Sequence, residues 1–371
     1  MKVLYIFRSL AVYGGIERIL VEKLNFLAEH YGMEIYLLTS DQGCHPVIFE
    51  LSDRVHHEDF GICFYQQYRF LGLRRLMIAW KMNCQYRHLL TDRLQRIQPD
   101  LIICTTADNI GIITKVKGII PLVVESHSIC ARSLCNGRNW LHRRLYRYAF
   151  LHSLSKVDMV VALTEGDAKE WREYHSQVIV IPNFIHPNEE HISDCSAKKA
   201  IFVGRFDYQK RVQDAIRIWK KVRERYPDWV LEIYGDGEMR QEVCSLASSV
   251  GGVVIHQPTS QIFQAYKECS ILISTSLFEP FGLVIPEAMS CGLPVVSYDC
   301  PYGPADIITN GVDGYVIRDR DSITFVERVC QLIESYDLRQ KMGLAGILSS
   351  RRYHAEFVMP QWQSLFLKYL K

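Results

Sequence analysis

The sequence predicts an α/β protein with two domains, each built on a mainly parallel β-sheet. Its 371 residues exceed what one ordinary domain holds, so we expect two hydrophobic cores. Short apolar runs alternate with amphipathic, helix-like stretches from end to end, as in βα units. A polar segment over residues 182–198 interrupts this alternation and predicts the boundary between the domains.

The strands are predicted at short runs rich in Val, Ile and Leu that lie between turn-forming residues. In chain order they are residues 3–7, 34–39, 101–104, 122–125, 159–163 and 178–181, followed by 200–203, 230–234, 253–255, 271–274 and 295–297. Amphipathic stretches between the strands predict helices. Two clear examples of helical spacing are Ile216, Trp219 and Val222, and Phe325, Val329 and Leu332.

Composition and charge exclude several classes of protein. A formal net charge of +2 gives no overall indication of nucleic-acid binding. The opening apolar run is short and ends at Arg8, which favours a first strand over a secretory signal. No stretch approaches the ~20 apolar residues that cross a bilayer. We therefore expect a cytoplasmic protein with at most peripheral membrane contact.

Twelve cysteines are present, but no C-x-x-C pair. The nearest two, Cys130 and Cys135, have no histidines at zinc-finger spacing beside them. Others lie in apolar runs, such as Cys104 and Cys269. We therefore predict buried, reduced thiols in a reducing compartment, and no metal site.

A first glycine turn, Gly14-Gly15-Ile16-Glu17, follows the opening strand and precedes a helical pattern. Glycine lets backbone N–H groups approach a ligand closely, and the N-terminus of a helix favours anions. Taken alone, the pattern fits an anion-binding loop and an ordinary flexible turn equally well.

A second turn runs from Val203 to Arg211, again between a strand and a helix. Arg205 and Lys210 place two cations beside the helix start, which suits a diphosphate. In isolation, a solvated basic loop is the simpler interpretation.

The third motif runs from Ser276 to Met289 and contains two glutamates eight positions apart. Pro286 is tolerated only in a first helical turn, so a helix should begin close to Gly282. Glu279 would then lie in the loop outside the helix, where a carboxylate can accept hydrogen bonds from sugar hydroxyls. Glu287 would lie about one turn inside it, where a carboxylate can hold a ribose diol. The alternative is a capping acid followed by a surface acid.

In their order along the chain, these motifs resemble those of the retaining glycosyltransferases of family 4, which have the GT-B fold of two Rossmann-like domains around a central cleft. The resemblance spans nearly the whole chain. Members that act on bacterial cell-surface polysaccharides and lipid-linked oligosaccharides are the most similar, through the segment 299–304, Asp-Cys-Pro-Tyr-Gly-Pro. The motifs that carry the resemblance are Gly-Gly-x-Glu at 14–17, Gly-Arg-x4-Lys at 204–210, Gly-Asp-Gly-Glu at 235–238, Glu-x7-Glu at 279–287, Ile-Pro-Asn at 181–183 and Asn-Gly-Val-Asp-Gly at 310–314.

The resemblance assigns an organisation to the two domains. An acceptor-side domain would occupy residues 1–184, and a nucleotide-sugar domain residues 198–354. A C-terminal helix over about residues 355–371 would pack back on the N-terminal domain.

The resemblance also implies roles in the C-terminal domain. Arg205 and Lys210 would hold the donor diphosphate and stabilise the leaving nucleotide. Glu287 would bind the ribose, and Glu279 the hydroxyls of the donor sugar. The backbone N–H groups expected beside that sugar belong to Phe281, Gly282 and Leu283.

In the N-terminal domain, Gly14 and Gly15 would approach the donor phosphate. His127, in the sequence Glu-Ser-His-Ser after a strand, matches the active-site histidine that lies near the donor sugar in this family. Without the family, a single histidine after a strand is more often structural.

Some positions depart from the family pattern. Arg211 replaces the glycine often found after the lysine, and Phe184 and His186 stand where Asn-Gly-x-Asp is common. These changes leave the donor motifs intact, while they affect the hinge and acceptor regions.

The resemblance implies a retaining transfer. The acceptor attacks the face of the sugar from which the leaving group departs, and the leaving phosphate takes the acceptor proton. It implies a UDP- or GDP-sugar donor, a glycan or polyprenyl-diphosphate-linked acceptor, and neither a metal nor another cofactor. Asp319-Arg320-Asp321 has the Asp-x-Asp pattern of metal-dependent transferases. It precedes a helical pattern, so helix capping is the expected role.

Three other functions occur in the same fold class: an NAD-dependent oxidoreductase, a non-catalytic binder of sugar nucleotides and a sugar-nucleotide epimerase. An NAD-dependent oxidoreductase needs G-x-G-x-x-G after a strand, and neither the turn at 14–15 nor that at 235–237 completes it. A non-catalytic GT-B binder of sugar nucleotides would be expected to lack some of Arg205, Lys210, Glu279 and His127, which are all present. A GT-B epimerase fits the full set less well, and the fold alone does not decide.

The N-terminal half carries a local excess of positive charge. Fifteen Lys or Arg and four Asp or Glu lie between Ile62 and Lys156, a formal balance of +11. Much of it lies in two helical patterns, over residues 69–96 and 138–147. A basic face that docks on anionic lipid and a solvated face over an ordinary core stripe of Leu141, Leu145 and Tyr148 remain equally good interpretations.

Overall fold

The structure, a computed structural model, describes residues 1–105, 109–135, 140–186 and 189–369. Contacts between residues divide the chain into two compact units, each with its own parallel sheet and hydrophobic core. The predicted α/β architecture of two Rossmann-like domains is confirmed. Unit 1 comprises Met1–Leu163, Asp167–Ile181 and Met359–Lys371, and unit 2 comprises Thr164–Gly166 and Pro182–Val358.

The sheet of unit 1 is parallel throughout its described strands. These strands are β1 (Lys2–Ile6), β2 (Glu34–Thr39), β3 (Val55–Asp59), β4 (Leu101–Cys104), β5 (Leu122–Glu125), β6 (Met159–Ala162) and β7 (Val178–Val180). Their order across the sheet is β3-β2-β1-β4-β5-β6-β7. Every residue of β4, β5 and β6 is buried, which explains their continuous apolar sequences.

Helices connect these strands and bury their apolar faces. In α1, for example, Leu20, Leu24 and Leu27 recur at helical spacing and are buried. The helices of this half of the chain are α1 (Gly15–His30), α2 (Gly72–Ile97), α3 (Ile110–Val116), α4 (Cys130–Leu134), α5 (Trp140–Leu154) and α6 (Glu165–Trp171).

Unit 2 repeats the same plan. Its strands are β8 (Lys199–Val203), β9 (Val230–Tyr234), β10 (Val253–His256), β11 (Ile271–Ser274), β12 (Val295–Asp299) and β13 (Gly314–Arg318), in the order β10-β9-β8-β11-β12-β13. The two helical patterns predicted from spacing are confirmed, because their six apolar side chains are all buried. The remaining helices are α7 (Val212–Arg225), α8 (Arg240–Val250), α9 (Ile262–Lys267), α10 (Val284–Ser290), α11 (Gly303–Ile307), α12 (Ser322–Glu334), α13 (Tyr336–Ser350) and α14 (Ala355–Leu367).

Each sheet has one place where the direction of strand addition reverses. In unit 1 this switch lies between β1 and β4, and in unit 2 between β8 and β11. Ligands of open parallel sheets bind outside the carboxyl ends of the strands at such a switch. The loops that follow these four strands are therefore the places to examine for a site.

The segment predicted as a linker is part of unit 2. The boundary between units falls after Ile181, three residues before the predicted domain end at 184. Ser193 donates from its backbone N–H to the Cys291 carbonyl (2.8 Å) and from its hydroxyl to the Cys269 carbonyl (2.6 Å). Ser193, one of the polar residues of the predicted linker, thus holds the segment against the domain.

The C-terminal helix is shared between the two units. The first residues of α14, up to Val358, belong to unit 2, and residues from Met359 belong to unit 1. The returning segment therefore starts four residues later than the predicted 355. Within unit 1, the ring of Trp362 lies 4.2 Å from the Lys23 ammonium.

None of the helices in the described part of the chain is both long enough and apolar enough to span a membrane. All twelve cysteines are free, and most are buried, as predicted. Burial raises the pKa of the Cys195 thiol to about 11 and that of Cys291 to about 12, so both stay protonated at neutral pH.

Candidate active site

The predicted site residues fall into two groups, one in each unit. Arg205, Lys210, Glu279 and the segment 281–287 belong to unit 2, in the loops that follow β8 and β11 and in the start of α10. Gly14, Gly15 and His127 belong to unit 1, after β1 and β5. Most of these loops follow the strands at the switch points of their sheets.

In unit 2, the loop after β8 brings Lys210 to Glu279. The Lys210 ammonium forms an ion pair with Glu279, and both side chains are largely buried. Gly204 leaves room for the lysine, because a Cβ on Gly204 would lie 3.2 Å from the Lys210 side chain. Arg205 is more exposed, and its guanidinium pairs with Asp207 at 3.2 Å. The loop therefore presents one buried and one exposed cation.

The carboxylate of Glu279 is held from several sides. Besides the Lys210 ammonium, it accepts a hydrogen bond from the Ser276 hydroxyl at 2.6 Å. Its backbone N–H donates to the Pro301 carbonyl (2.7 Å), and its carbonyl accepts from the N–H groups of Tyr302 and Gly303 (both 2.9 Å). The segment 299–304, which carried part of the family resemblance, thus fixes the backbone of the loop glutamate.

The helix predicted near Gly282 begins at Val284, and Pro286 is in its first turn as expected. Gly282 has a φ of 89°, a conformation that glycine adopts readily. Glu287 lies in the first turn of α10 and is buried, whereas Glu279 lies in the loop before it. The predicted placement of the two glutamates on either side of the helix start is confirmed.

Two further glycines allow close backbone packing under this loop. A Cβ on Gly235 would lie 2.0 Å from the Gly204 carbonyl oxygen, and one on Gly237 would lie 2.6 Å from the Phe206 carbonyl oxygen. The Phe206 N–H donates to the Asp236 carbonyl at 2.8 Å. The Gly-Asp-Gly-Glu motif therefore supports the cationic loop after β8.

In unit 1, α1 begins at Gly15 and Gly14 is its N-terminal flanking residue. A Cβ on Gly14 would lie 2.3 Å from a carboxylate oxygen of Glu17, so the glycine leaves space for that side chain. The predicted strand, glycine turn and helix are confirmed here.

His127 is buried beside an ion pair. Its Nε2 lies 3.1 Å from Oε1 of Glu125, without the alignment of a hydrogen bond, and Glu125 pairs with the fully buried Lys23. Burial alone would raise the pKa of Glu125, but Lys23 and His127 bring it down to about 2, so the carboxylate is ionised. Burial lowers the pKa of the Lys23 ammonium, and Glu125 opposes that effect. The histidine therefore faces a permanent negative charge.

Comparisons with known proteins identify the family of this chain. The family profile described as "Glycosyltransferase Family 4" matches residues 13–189, and the one described as "Glycosyl transferases group 1" matches residues 188–348. Together they span both units. The chain belongs to glycosyltransferase family 4. It is accordingly a glycosyltransferase, as the ordered motifs predicted.

Two relatives align with most of this glycosyltransferase. The amylovoran biosynthesis glycosyltransferase AmsD of Erwinia amylovora is 26% identical over 98% of this chain and 99% of its own length. The lipopolysaccharide 1,6-galactosyltransferase of Escherichia coli is 25% identical over 88% of this chain and 87% of its own.

Solved structures confirm the fold. S. aureus TarM, crystallised with Fondaparinux, α-GlcNAc-glycerol and UDP, superposes with a TM-score of 0.80 at 14% identity, covering 98% of this chain and 99% of TarM. Sucrose-phosphate synthase from Thermosynechococcus elongatus superposes with a TM-score of 0.81 at 15% identity, covering 99% and 98%. The GT-B fold implied by the resemblance is thereby confirmed.

Several residues at these positions were not predicted. Ser276 and Gln209 lie inside the recognised motifs, three residues from Glu279 and four from Arg205 respectively. This closeness in sequence could have identified them as partners of those two residues. Gln209 accepts from Arg205 (3.3 Å) and donates to the Phe278 carbonyl (3.1 Å), linking the two loops. Lys23 and Glu125 gave no such signal, because 102 residues separate them.

The Asp-x-Asp pattern of this glycosyltransferase serves local structure, as expected. Asp321 caps α12 by accepting from the Thr324 N–H at 3.1 Å. Asp319 pairs with Arg211 at 2.7 Å. Arg211 has a φ of 47°, a left-handed conformation that suits the glycine expected here from the family resemblance. Within the described ranges, no group of three or more His, Cys, Asp or Glu is arranged to hold a metal.

The two basic patterns form helices α2 and α5, although Arg138 and Asn139 lie outside the described residues. Leu141, Leu145 and Tyr148 are exposed rather than packed into a core. The interpretation of these three as a core stripe is therefore wrong.

Proposed function

We propose that this glycosyltransferase transfers a sugar, with retention of configuration, from a UDP- or GDP-sugar to a glycan or lipid-linked acceptor in the synthesis of a cell-surface polysaccharide. The observation that carries the proposal is the cluster at the switch point of unit 2. There a buried lysine, an exposed arginine and a held glutamate come from the loops after β8 and β11. The names of the relatives, in amylovoran and lipopolysaccharide synthesis, support the class of product.

On the donor side, Arg205 and Lys210 take the diphosphate, where negative charge develops as the nucleotide leaves. The Lys210 ammonium is already desolvated, so its interaction with that charge is stronger than it would be in water. Glu279 accepts hydrogen bonds from hydroxyls of the donor sugar, and Glu287 accepts hydrogen bonds from the ribose diol. Neighbouring backbone N–H groups belong to Phe281, Gly282 and Leu283.

On the side of unit 1, the turn at Gly14 and Gly15 approaches the donor phosphate through its N–H groups. His127 contributes near the donor sugar, with the ionised Glu125 lying 3.1 Å from its Nε2. Lys23 balances the charge of that glutamate, so the pair can stay buried.

The chemical step breaks the bond between the anomeric carbon and the diphosphate oxygen and forms the bond from that carbon to the acceptor oxygen. The acceptor proton passes to the leaving diphosphate, and attack occurs on the face from which the diphosphate departs. The two cations and the N–H groups supply the stabilisation for which other transferases use a metal, so we propose a metal-independent reaction.

The acceptor is proposed to be a growing glycan or a polyprenyl-diphosphate-linked sugar. Support comes from proteins of similar fold, since the TarM complex contains UDP together with α-GlcNAc-glycerol, and HepE of Anabaena, which superposes with a TM-score of 0.74 at 16% identity, was crystallised with UDP and glucose. The basic helices α2 and α5 would contact anionic lipid on the cytoplasmic face of the membrane.

A donor panel tests the proposal. The protein is incubated with UDP-, GDP- and ADP-sugars, binding is measured by thermal shift, and release of nucleoside diphosphate is then followed. We expect one nucleotide class to stabilise the protein and to be released from its sugar. Binding without release from any donor, or conversion of the donor to its epimer, would instead indicate the non-catalytic or epimerase alternative.

A further inference from the structure

A lysine lies inside the apolar stripe of α1. Lys23 is 1% exposed, and Leu20 and Leu24 beside it in the helix are fully buried. Lysine is almost never fully buried unless its charge is paired. A leucine at position 23 would continue the stripe without burying a charge, so packing alone does not explain this lysine.

Lys23 belongs to a cluster on one face of the sheet of unit 1. The strand register places Tyr5 beside Ile103, and Ile103 beside Val123. Glu125 follows Val123 by two residues in β5, so it lies on the same face of the sheet as Tyr5. Lys23 reaches this face from α1 and forms an ion pair with Glu125. The folded unit therefore brings β1, β5 and α1 together around one buried charge pair.

The C-terminal helix closes the cluster. Trp362 of α14 is buried, and the centre of its ring lies 4.2 Å from the Lys23 ammonium. The ring of Tyr5, which is also buried, has its centre 5.6 Å from the same ammonium. Aromatic faces attract a cation, and their burial keeps water away from it. The interaction of the ammonium with Glu125 is therefore stronger than it would be in water.

The ion pair places a full negative charge beside His127. Burial acts to raise the pKa of Glu125, but Lys23 and His127 lower it to about 2. Oε1 of Glu125 lies 3.1 Å from Nε2 of His127, without the alignment of a hydrogen bond. A carboxylate at this distance attracts a proton on the facing nitrogen and repels a lone pair there. The charge of Glu125 therefore favours the imidazole tautomer with its proton on Nε2.

A different acid holds the loop that carries His127. Asp167 of α6 accepts a hydrogen bond from the Cys130 N–H at 2.8 Å. Within the loop, the Ser126 hydroxyl donates to the Ser128 carbonyl at 2.6 Å, so the backbone is fixed on both sides of the histidine. The buried ion pair is not needed to hold this loop, and its own contribution to the site is its charge.

Stability does not account for the ion pair either. Taking two charges out of water has a large cost, and apolar residues of similar volume in place of a buried pair are often neutral or stabilising. A buried pair in contact with a predicted site residue is instead typical of a functional site.

We propose that Lys23 and Glu125 are positioning residues of the transfer reaction: their ion pair holds the imidazole proton of His127 on Nε2, so that Nδ1 accepts a hydrogen bond from a hydroxyl of the donor sugar. Trp362 and Tyr5 keep the pair free of water. This inference rests on the proposed role of His127 near the donor sugar. It adds to that role a chain of contacts that runs from the C-terminal helix to the histidine.

Two variants separate the charge of the pair from its packing. Lys23→Met leaves Glu125 buried without its cation, so it should lower both the stability and the rate. The double variant Lys23→Met, Glu125→Gln removes both charges while keeping side chains of similar length, and it should recover most of the unfolding free energy. We expect its kcat to stay about tenfold below that of the wild type, with little change in KM. A double variant that recovers its kcat together with its stability would overturn the inference.

A double-mutant cycle tests whether the pair acts through His127. His127→Ala is combined with the double variant, and kcat is measured for each protein with the donor that the panel identifies. In the His127→Ala background, removal of the two charges should lower kcat no further. A further tenfold loss in that background would overturn the inference, because the pair would then act by another route.

The matched control is a core substitution on the other face of the same sheet. Leu90 of α2 is buried there together with Leu4 and Val124. Leu90→Ala should lower the unfolding free energy and leave kcat unchanged at a temperature where the protein is folded. If this control lost kcat as the double variant does, destabilisation would explain the loss and the inference would fail.

A spectroscopic readout separates this inference from the proposed function. Proton–nitrogen NMR correlation spectra of histidine-labelled protein distinguish the two imidazole tautomers, and comparison with His127→Ala assigns the signals. Above neutral pH the wild type should show one tautomer, with the proton on Nε2, and the double variant should populate both. The same spectrum for both proteins would overturn the inference alone. A wild type that releases no nucleoside diphosphate from any donor would contradict the proposed function, and the role of the pair in transfer with it.

Discussion

Lys210 serves two partners in the proposed mechanism. Its ammonium pairs with Glu279 in the free protein, and we propose that it also meets the donor diphosphate. Arg205 has no comparable buried partner, since it is exposed and pairs with Asp207. The two cations should therefore respond differently to truncation.

We predict that Arg205→Ala and Lys210→Ala both lose most transfer activity, by about 2–4 kcal/mol of transition-state stabilisation each. Lys210→Ala should also lower the free energy of unfolding, because it leaves the buried Glu279 without its cation. Initial rates and urea unfolding measure the two effects. The matched control is Arg217→Ala, an exposed arginine on α7 that pairs with Asp214 and belongs to no predicted motif. Near-native rates in both site variants would show that these cations do not serve the diphosphate.

The two glutamates should separate nucleotide binding from sugar binding. We predict that Glu287→Ala weakens binding of the bare nucleoside diphosphate, because Glu287 lies inside the first turn of α10. Glu279→Ala should mainly weaken binding of the intact donor, because Glu279 lies in the loop outside that helix. Calorimetry with nucleotide and with nucleotide-sugar distinguishes the two. Equal losses for both ligands in both variants would count against separate roles.

At this scale the sequence predicted the residues inside motifs but not their distant partners. Arg205, Lys210, Glu279 and Glu287 could be named because they lie inside the motifs that carry the family resemblance. The Lys23–Glu125 ion pair beside His127 could not, because helix α1 and the end of β5 come together only in the folded unit. Contacts between residues far apart in the chain leave no local pattern.

Among the elements, α11 and the loop before α10 depend on close backbone packing. A Cβ on Gly303 would lie 1.9 Å from the Phe281 carbonyl oxygen, a distance that real atoms do not tolerate. We predict that Gly303→Ala displaces the loop that carries Phe281 and lowers both donor affinity and stability, by more than about 2 kcal/mol of unfolding free energy. Calorimetry and urea unfolding would measure these losses.

The matched control for that variant is Gly346→Ala in α13. Its Cβ would meet Met289 at 3.5 Å, an ordinary contact, and alanine is favoured over glycine in a helix by about 0.5–1 kcal/mol. We expect this control to be neutral or slightly stabilising. If Gly303→Ala behaves like Gly346→Ala, the close approach at Phe281 is not a constraint on the loop.

Asp167 in α6 gives unit 1 a pH dependence. Burial raises its pKa to about 6, although hydrogen bonds from the Cys130 N–H and the Trp171 ring oppose that rise. The folded state therefore holds the proton more tightly than the unfolded state does. Its contribution to stability is present below the unfolded pKa near 3.8 and is lost as the pH rises through 6. Between pH 4 and 7 the wild type should therefore lose about 2 kcal/mol more unfolding free energy than Asp167→Asn. Urea unfolding at both pH values provides the comparison, and parallel losses in the two proteins would refute this origin.

The apolar runs predicted eleven strands, and all eleven are confirmed, including the edge strands β7 and β10. The strands at the two other sheet edges, β3 and β13, were not predicted. β3 reads Val-His-His-Glu-Asp, and a polar edge strand shows no apolar run. The segment at 182–198 was misjudged for the related reason that its polar groups bond within unit 2.

For the whole molecule, the same switch in strand order occurs in both sheets, at the cationic cluster of unit 2 and at a pocket of about 380 Å³ in unit 1. The order of motifs along the chain predicted the family and the α/β plan, because most motifs follow a strand. The pocket was not predicted, since its lining comes from β1, β4, the loops after β1 and β2 and helices α2, α3 and α5, which only the folded unit brings together.

Transfer in excess EDTA, with the stereochemistry of the product, tests whether the reaction is metal-independent and retaining. With the donor identified by the panel, nucleoside diphosphate release and sugar in the product are measured together, and the anomeric configuration of the product is determined by NMR. We expect equal amounts of both products at a rate unchanged by EDTA, with the configuration of the donor retained, because Arg205, Lys210 and backbone N–H groups stabilise the leaving group. Complete loss of transfer in EDTA with rescue by magnesium or manganese, or a product of inverted configuration, would contradict it.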